Sequence, residues 1–295
     1  DEIACNYDPE AFADNGTCEY PEQYFDCAGN CIDELDCADV CGGENICGCT
    51  DSNASNYNSL ANVQDVCEYD IYDDYYALNL SSSYIETSYS TDFNFGNDDF
   101  TISFWVRFDG LPQDFNFLIG NMYNTGGSWA ADKGWMLTYR WNGRLRLNTA
   151  TGSSYDDKGR TWYANWSPVY GDWYKITVMQ SGTNNILMFV NDTQLSVIHS
   201  DASGNSGVWE NSTMPLRVGR DNSNRNQFNG SMDEITIWHE ALSISDIENN
   251  IITEIDYLNE ENLVLYWKAD EGDGTAIYDV SGKYHHAYTY GSWEY

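Results

Sequence analysis

All nine cysteines of this 295-residue chain, Cys5, Cys18, Cys27, Cys31, Cys37, Cys41, Cys47, Cys49 and Cys67, precede residue 68. No other feature constrains the fold as strongly. It divides the chain into a thiol-dense segment, residues 1–70, and a cysteine-free remainder, residues 71–295. The first has too little apolar material to close a core, whereas the second is long enough to bury a large one. Four of the cysteines form a C-x3-C-x5-C-x3-C pattern in "DCAGNCIDELDCADVCGG". Zinc and disulfides compete for such a pattern. The flanking Asp26, Asp33, Glu34, Asp36 and Asp39 would raise thiol pKa values, and no histidine lies in the segment. Both facts favour disulfides over a metal. Each bridge across a loop of about 15 residues contributes on the order of 3 kcal/mol, and such bridges place the chain outside the reducing cytosol.

"DEIACNYDPEAFADNGTCEY" opens the chain and "DSNASNYNSLANVQDVCEY" nearly repeats it from Asp51. In that alignment Cys18 matches Cys67, but Cys49, two positions before Asp51, has no counterpart ahead of Asp1, and Cys5 faces Ser55. The expected partner of Cys18 therefore lies upstream, with the chain starting inside a repeat, the alternative being an unpaired or intermolecular thiol. These phrases resemble cysteine repeats of large secreted surface proteins of marine bacteria, notably the Bacteroidetes group, and of some algae. The resemblance implies a stalk or spacer role for residues 1–70. Asp8, Asp14 and Asn15 crowd the first phrase without the D-x-D-x-D-G spacing of a calcium loop and are read as solvated turn residues.

Charge bounds the partners. The 47 acidic against 13 basic residues give a formal net charge of -34, which repels polyanions, so nucleic acid and anionic membrane are poor partners. No apolar run is long enough to span a bilayer, and no direct membrane insertion is expected. Without a signal segment before Asp1, the chain is expected to be a mature product or a fragment. Sequons at Asn15, Asn53, Asn79, Asn165, Asn191, Asn211 and Asn229 permit glycosylation in a eukaryotic host.

Beyond residue 71 the pattern turns to period-two alternation. In "FTISFWVRF" Phe100, Ile102, Phe104, Val106 and Phe108 share one face, as a strand buried on that side requires. Asn142-Gly143 between two alternating runs predicts a two-residue hairpin. Turns are predicted at Ser181 to Asn185 and at Asn191-Asp192. "SISDIENNIITEIDYL" reads as one short helix, with Ile244, Ile247, Ile251 and Ile255 on one face after a Ser243 or Ser245 cap. The fold class is mostly β: a two-sheet antiparallel jelly-roll sandwich with one short helix, preceded by a small disulfide-rich irregular module.

"PLRVGRDNSNRNQFNGSMDEITIWHEALSISDI" and "LVLYWKADEGDGTAIYDVSGKYHHAYTYGSW" resemble signatures of laminin-G-like, concanavalin A-like jelly-roll domains. The second piece often opens such a domain. Here it comes last, so it either completes this sandwich in permuted order or begins another module. The resemblance implies a structural calcium ion, Ca2+, with six to eight oxygen ligands to which Asp221, Asn222, Asp233 and Asp279 contribute side chains, Asp233 and Asp279 foremost.

The related fold also houses glycosidases with an E-x-D-x-x-E strand. "EIDYLNE" at Glu254 to Glu260 has one residue too many and continues the helical pattern. His199, His239, His285 and His286 lie in unrelated contexts, and the adjacent pair reads as strand or loop surface. No catalytic residue is assigned, and the chain is read as no enzyme. Six of eleven tryptophans fall between Trp129 and Trp173. Most are expected to fill the space between sheets, while Trp162 and Trp166, in a turn-rich stretch, are the candidates for stacking on sugars. The reading is a non-enzymatic extracellular or cell-surface protein for adhesion or glycan binding, with glycans or surface proteins as partners. The alternative is a self-assembling subunit of a fibre, appendage or sheath.

Overall fold

A computed structural model of the chain describes residues 1–13, 15–50, 56–65, 76–111, 114–122, 133–150, 160–191, 193–201, 209–247 and 260–294. Asp14, Asn53, Cys67, Trp129, Asp192, Ile251, Glu254 and Ile255 lie outside the described residues. Two compact units are present, Asp1–Asp70 and Ile71–Tyr295.

Apolar burial is nearly missing from the first unit. Among its described residues only Ala4 and Cys49 are buried hydrophobics, while Ile3, Phe12, Ile32, Leu35 and Leu60 are exposed. Order comes instead from the disulfides Cys5–Cys27, Cys31–Cys41 and Cys37–Cys47, and Cys49 is also disulfide-bonded. Cys18 is a free thiol within this chain. It is the cysteine for which the repeat alignment finds no partner within the chain.

The pairing follows a ten-residue echo. The Asp26 carboxylate accepts from the Ala28 and Asn30 N–H groups, and Asp36 accepts from those of Ala38 and Val40. Backbone bridges join Phe25 to Cys31 and Leu35 to Cys41. Gly29 (φ 79°) and Asp39 (φ 60°) take the same left-handed position. These are two copies of one carboxylate-capped turn. Their last cysteines, Cys31 and Cys41, join each other, and their first cysteines reach outward to Cys5 and Cys47. Downstream, β1 (Cys47–Gly48) pairs in parallel with β2 (Val63–Gln64).

The second unit contains β3 (Ala77–Asn79), β4 (Ile85–Thr87), β5 (Phe100–Phe108), β6 (Phe115–Gly120), β7 (Trp135–Arg140), β8 (Arg144–Thr149), β9 (Arg160–Asn165), β10 (Trp173–Gln180), β11 (Ile186–Val190), β12 (Thr193–Gln194) and β13 (Val197–Asp201). It continues with β14 (Arg217–Val218), β15 (Gly230–Trp238), β16 (Leu263–Trp267), β17 (Ala276–Ile277), β18 (Ala287–Thr289) and β19 (Ser292–Glu294). One sheet runs β12-β11-β10-β5-β15-β3-β19, with β16 also paired to β15. The other runs β13-β9-β8-β7-β6-β14-β4-β18-β17. The expected two-sheet sandwich is present.

Alternation explains the core. Phe100, Ile102, Phe104, Val106 and Phe108 of β5 are fully buried, and they pack with Trp135, Leu137 and Tyr139 of β7 and with Leu145 and Leu147 of β8. Each such side chain stabilises the fold by about 1.5–3 kcal/mol. Two buried indoles have hydrogen-bond partners: Trp135 donates to the Phe93 carbonyl at 2.8 Å and Trp267 to the His285 carbonyl at 2.9 Å.

The closing segment belongs to this sandwich. β16 lies beside β15, β18 beside β4 and β19 beside β3, which decides for completion in permuted order. Two local expectations change. The β7–β8 hairpin pairs Arg140 with Arg144, so its loop has three residues rather than two. Gly143 takes φ 77° there, the left-handed position that ends such a loop. The helix begins as predicted at residues 244–247, with Ser243 Oγ accepting from the Asp246 N–H at 3.2 Å. Ile247 is buried against Met179 and Phe189, but Ile244 is 56% exposed, because only one residue of this turn faces the sheet.

Candidate functional site

The motif residues expected to hold calcium serve the fold instead. Asp221 accepts from the Ser223 and Arg225 N–H groups and from the Asn226 amide, while the Asn222 amide donates to the Pro215 carbonyl. Asp279 accepts from the N–H groups of Tyr266, Ser281 and His285. Both carboxylates are completely buried and spent on local backbone donors. Asp233 and Glu234 sit at a bulge in β15 opposite β5, where the register shifts by one residue and Glu234 takes φ 51°. The bulge returns Ile235 to the core. Burial, then Glu234 and Asp270, holds the Asp233 pKa well above the usual carboxylate range. No group of three or more His, Cys, Asp or Glu suited to a metal forms among the described residues. Asp221, Asn222 and Asp279, occupied by donors and acceptors of the chain itself, do not fit a calcium ion.

The two other motif elements have similar explanations. Gly230 is required because a Cβ there would lie 1.9 Å from the Arg107 carbonyl oxygen. His285 and His286 are half-buried pegs rather than free surface. His285 Nε2 lies 2.8 Å from Asp92 Oδ2, and His286 Nδ1 accepts from the Asp279 N–H.

The tryptophan expectation also changes. Trp162 lies in β9, is 2% exposed, and stacks on His199 with ring centroids 4.7 Å apart. Trp166 is half-buried and packs edge-on against Tyr139, Tyr174 and Phe108. Neither is an open stacking platform. Strand alternation continues through Trp162, and the turn residues that suggested exposure follow it. Among the sequons, Asn15, Asn165 and Asn211 are exposed, whereas the Asn79 amide donates to Glu294 and Asn191 accepts from the Lys175 N–H.

A candidate face lies on the outer side of β6–β9, half-buried at Phe115, Arg140, Arg144 and Arg146 and buried at Phe117, Thr138 and Asn148. Cross-strand register places Phe115, Arg140, Arg144 and Asn165 in one row, and Phe117, Thr138, Arg146 and Tyr163 in the next. The alternate residues Tyr139, Leu145 and Ala164 point into the core. Arg140 lies 4.0 Å over the Phe115 ring and Arg144 lies 4.2 Å over Tyr163. Arg146 donates to Thr161 Oγ1 at 3.1 Å. Burial, reinforced by Arg140 and Arg144, pushes the Arg146 guanidinium down to about 10. Arg140 Nε, Arg146 Nε and Asn148 Oδ1 are buried and have no hydrogen-bond partner among the described residues. Trp141, in the adjoining loop, is 62% exposed. Four six-residue strands make up this face, and not one Asp or Glu occurs in them, in a chain that carries 47.

Farther along the same sheet is a second aromatic group. Tyr84 stacks on Tyr290 at 4.5 Å, with Arg217 and Arg220 over the Tyr84 ring. Here the cation is neutralised: Arg217 pairs with Glu86.

Residues 79–248 match the family model described as the concanavalin A-like lectin/glucanases superfamily. The chain belongs to this superfamily. Among solved structures, a Bacteroides ovatus protein provisionally named a carbohydrate binding protein is 18% identical with a TM-score of 0.53, covering 81% of this chain. This chain spans 65% of that protein's length. A Ruminococcus gnavus sialidase CBM40 bound to α2,3-sialyllactose is 12% identical, TM-score 0.41, covering 59% of this chain and 96% of that one. A heptameric pentraxin of Limulus polyphemus is 10% identical, TM-score 0.43, covering 74% of this chain and 95% of that one. No curated protein matches.

For this member of the concanavalin A-like superfamily, the family motifs mark the scaffold, and the candidate face lies elsewhere. Its signal was present in "YRWNGRLRL": three arginines within seven residues of a chain that has only 13 basic residues.

Proposed function

We propose that the sandwich is a non-enzymatic glycan-binding module that acts in adhesion outside the cell, with the disulfide-bonded residues 1–70 serving as its spacer. The observation that carries this reading is the carboxylate-free outer face of β6–β9, with Trp141 exposed at its rim. An indole face supplies apolar area for a sugar ring while flanking polar groups orient its hydroxyls. Membership of a superfamily that includes lectins supports it. Hydrolysis by the usual retaining route needs two carboxyl groups about 5–5.5 Å apart across the substrate, and the strands of this face supply none. The disulfides support an oxidising compartment. Among the described residues no helix is long and apolar enough to cross a membrane.

A glycan array with and without calcium tests the reading. Saturable binding to a saccharide class is expected, surviving chelation and falling at least tenfold in Trp141→Ala. Absence of any saturable binding, together with ordered filaments under the electron microscope, would replace it with the fibre subunit.

A further inference from the structure

We propose that the outer face of β6–β9 selects saccharides bearing carboxylate or sulfate groups, read by Arg140, Arg144 and Arg146. The inference rests on the glycan-binding reading and adds the charge of the ligand.

Like charges directly opposite one another on neighbouring strands destabilise a sheet. Arg140 and Arg144 are such a pair, and Arg146 stands two residues farther along the same face of β8. Two arginines elsewhere are neutralised by carboxylates. Arg107 pairs with Asp109 at 2.9 Å and with Glu294 at 2.7 Å, and Arg217 pairs with Glu86. No described carboxylate lies within ion-pair distance of Arg140, Arg144 or Arg146, and the four strands around them are free of acidic residues. Among the described residues this self-repelling cluster has no counter-charge, and an external anion would supply one.

Geometry suits that ligand. Arg140 and Arg144 lie over the Phe115 and Tyr163 rings, and a guanidinium suits planar, two-point contact with carboxylate or sulfate oxygens. The net charge of -34 does not forbid this, because at physiological salt charges beyond about 8 Å are largely screened. The local field on this face is set by the arginines.

The test uses paired probes that differ only in charge: oligogalacturonate against its methyl ester, and dextran sulfate against dextran, by isothermal titration calorimetry on the full chain. At least tenfold preference for a charged member is expected. The two pairs separate carboxylate from sulfate. Arg140→Gln, Arg144→Gln and Arg146→Gln should each lose most of that preference, with Arg146→Lys partly restoring it, and thermal melting checks that every variant is folded. Equal affinity for charged and neutral members, or charge preference unchanged in all three Gln variants, overturns the inference. If all four probes fail while the array finds neutral ligands, charge selection falls and the glycan-binding reading stands. If the array is also blank, both fall.

Discussion

Residues 1–70 and the sandwich solve the same problem in opposite ways. In the first unit, side chains such as Phe12 and Leu60 face solvent, and covalent links limit the unfolded chain. In the second, no cysteine occurs and aromatic side chains from both sheets fill a continuous core. The contrast teaches that stability in one chain has two independent origins, each with its own point of failure. One responds to redox conditions, the other to packing and proton uptake.

Reduction is the most severe way to probe this contrast. Dithiothreitol should unfold residues 1–50 while β3–β19 persist, because loss of native bridges in a coreless segment removes about 2–5 kcal/mol each. Limited proteolysis with mass spectrometry should show rapid cleavage in the first unit and protection of the second. Equal protection of both would show that the first unit has another source of order. The reciprocal experiment is Trp267→Ala. Removing this fully buried indole should destabilise the sandwich by about 3–5 kcal/mol in urea, with the disulfide-linked peptides of the first unit unchanged.

A smaller effect isolates the proton. Glu271 is buried, and burial pushes its carboxyl up to about 7 although one oxygen accepts the Tyr278 N–H. A carboxyl whose pKa is higher in the folded than in the unfolded state binds more protons when folded, so stability falls as pH rises from the ordinary value of 4.5 through about 7. The whole shift corresponds to on the order of 3 kcal/mol. Glu271→Gln keeps the acceptor and removes the titration. It should raise stability at pH 8, leave it little changed at pH 5, and flatten the profile, as read from urea midpoints at the two pH values. The first unit should not respond.

The sandwich was legible where one strand carries its own pattern. Alternation in "FTISFWVRF" gives β5 residue by residue, and the Ser243 cap gives the start of the helical turn. Relations between strands were less accessible. Nothing local in "TWYANW" says that Trp162 points inward, since both faces of β9 carry aromatic residues. The arginine face emerges only when β6, β7, β8 and β9 are set in register. Likewise, Asp221 and Asp279 have the residue type of metal ligands, but their donors come from backbone N–H groups that only the folded loops gather. The ten-residue echo around Asp26 and Asp36 is readable in the repeated D-C-A-x-x-C phrase.

The pairing of β19 with β3 has a mechanical consequence. Glu294 sits opposite Ala77 and Ser292 opposite Asn79, so the two strands meet with their outermost residues at the same end of the ladder. A pull applied at Ala77 and Glu294 would open the ladder rung by rung instead of shearing all rungs at once. Under tension the sandwich would shed its last strand at low force, letting out slack before any load reached the aromatic interior.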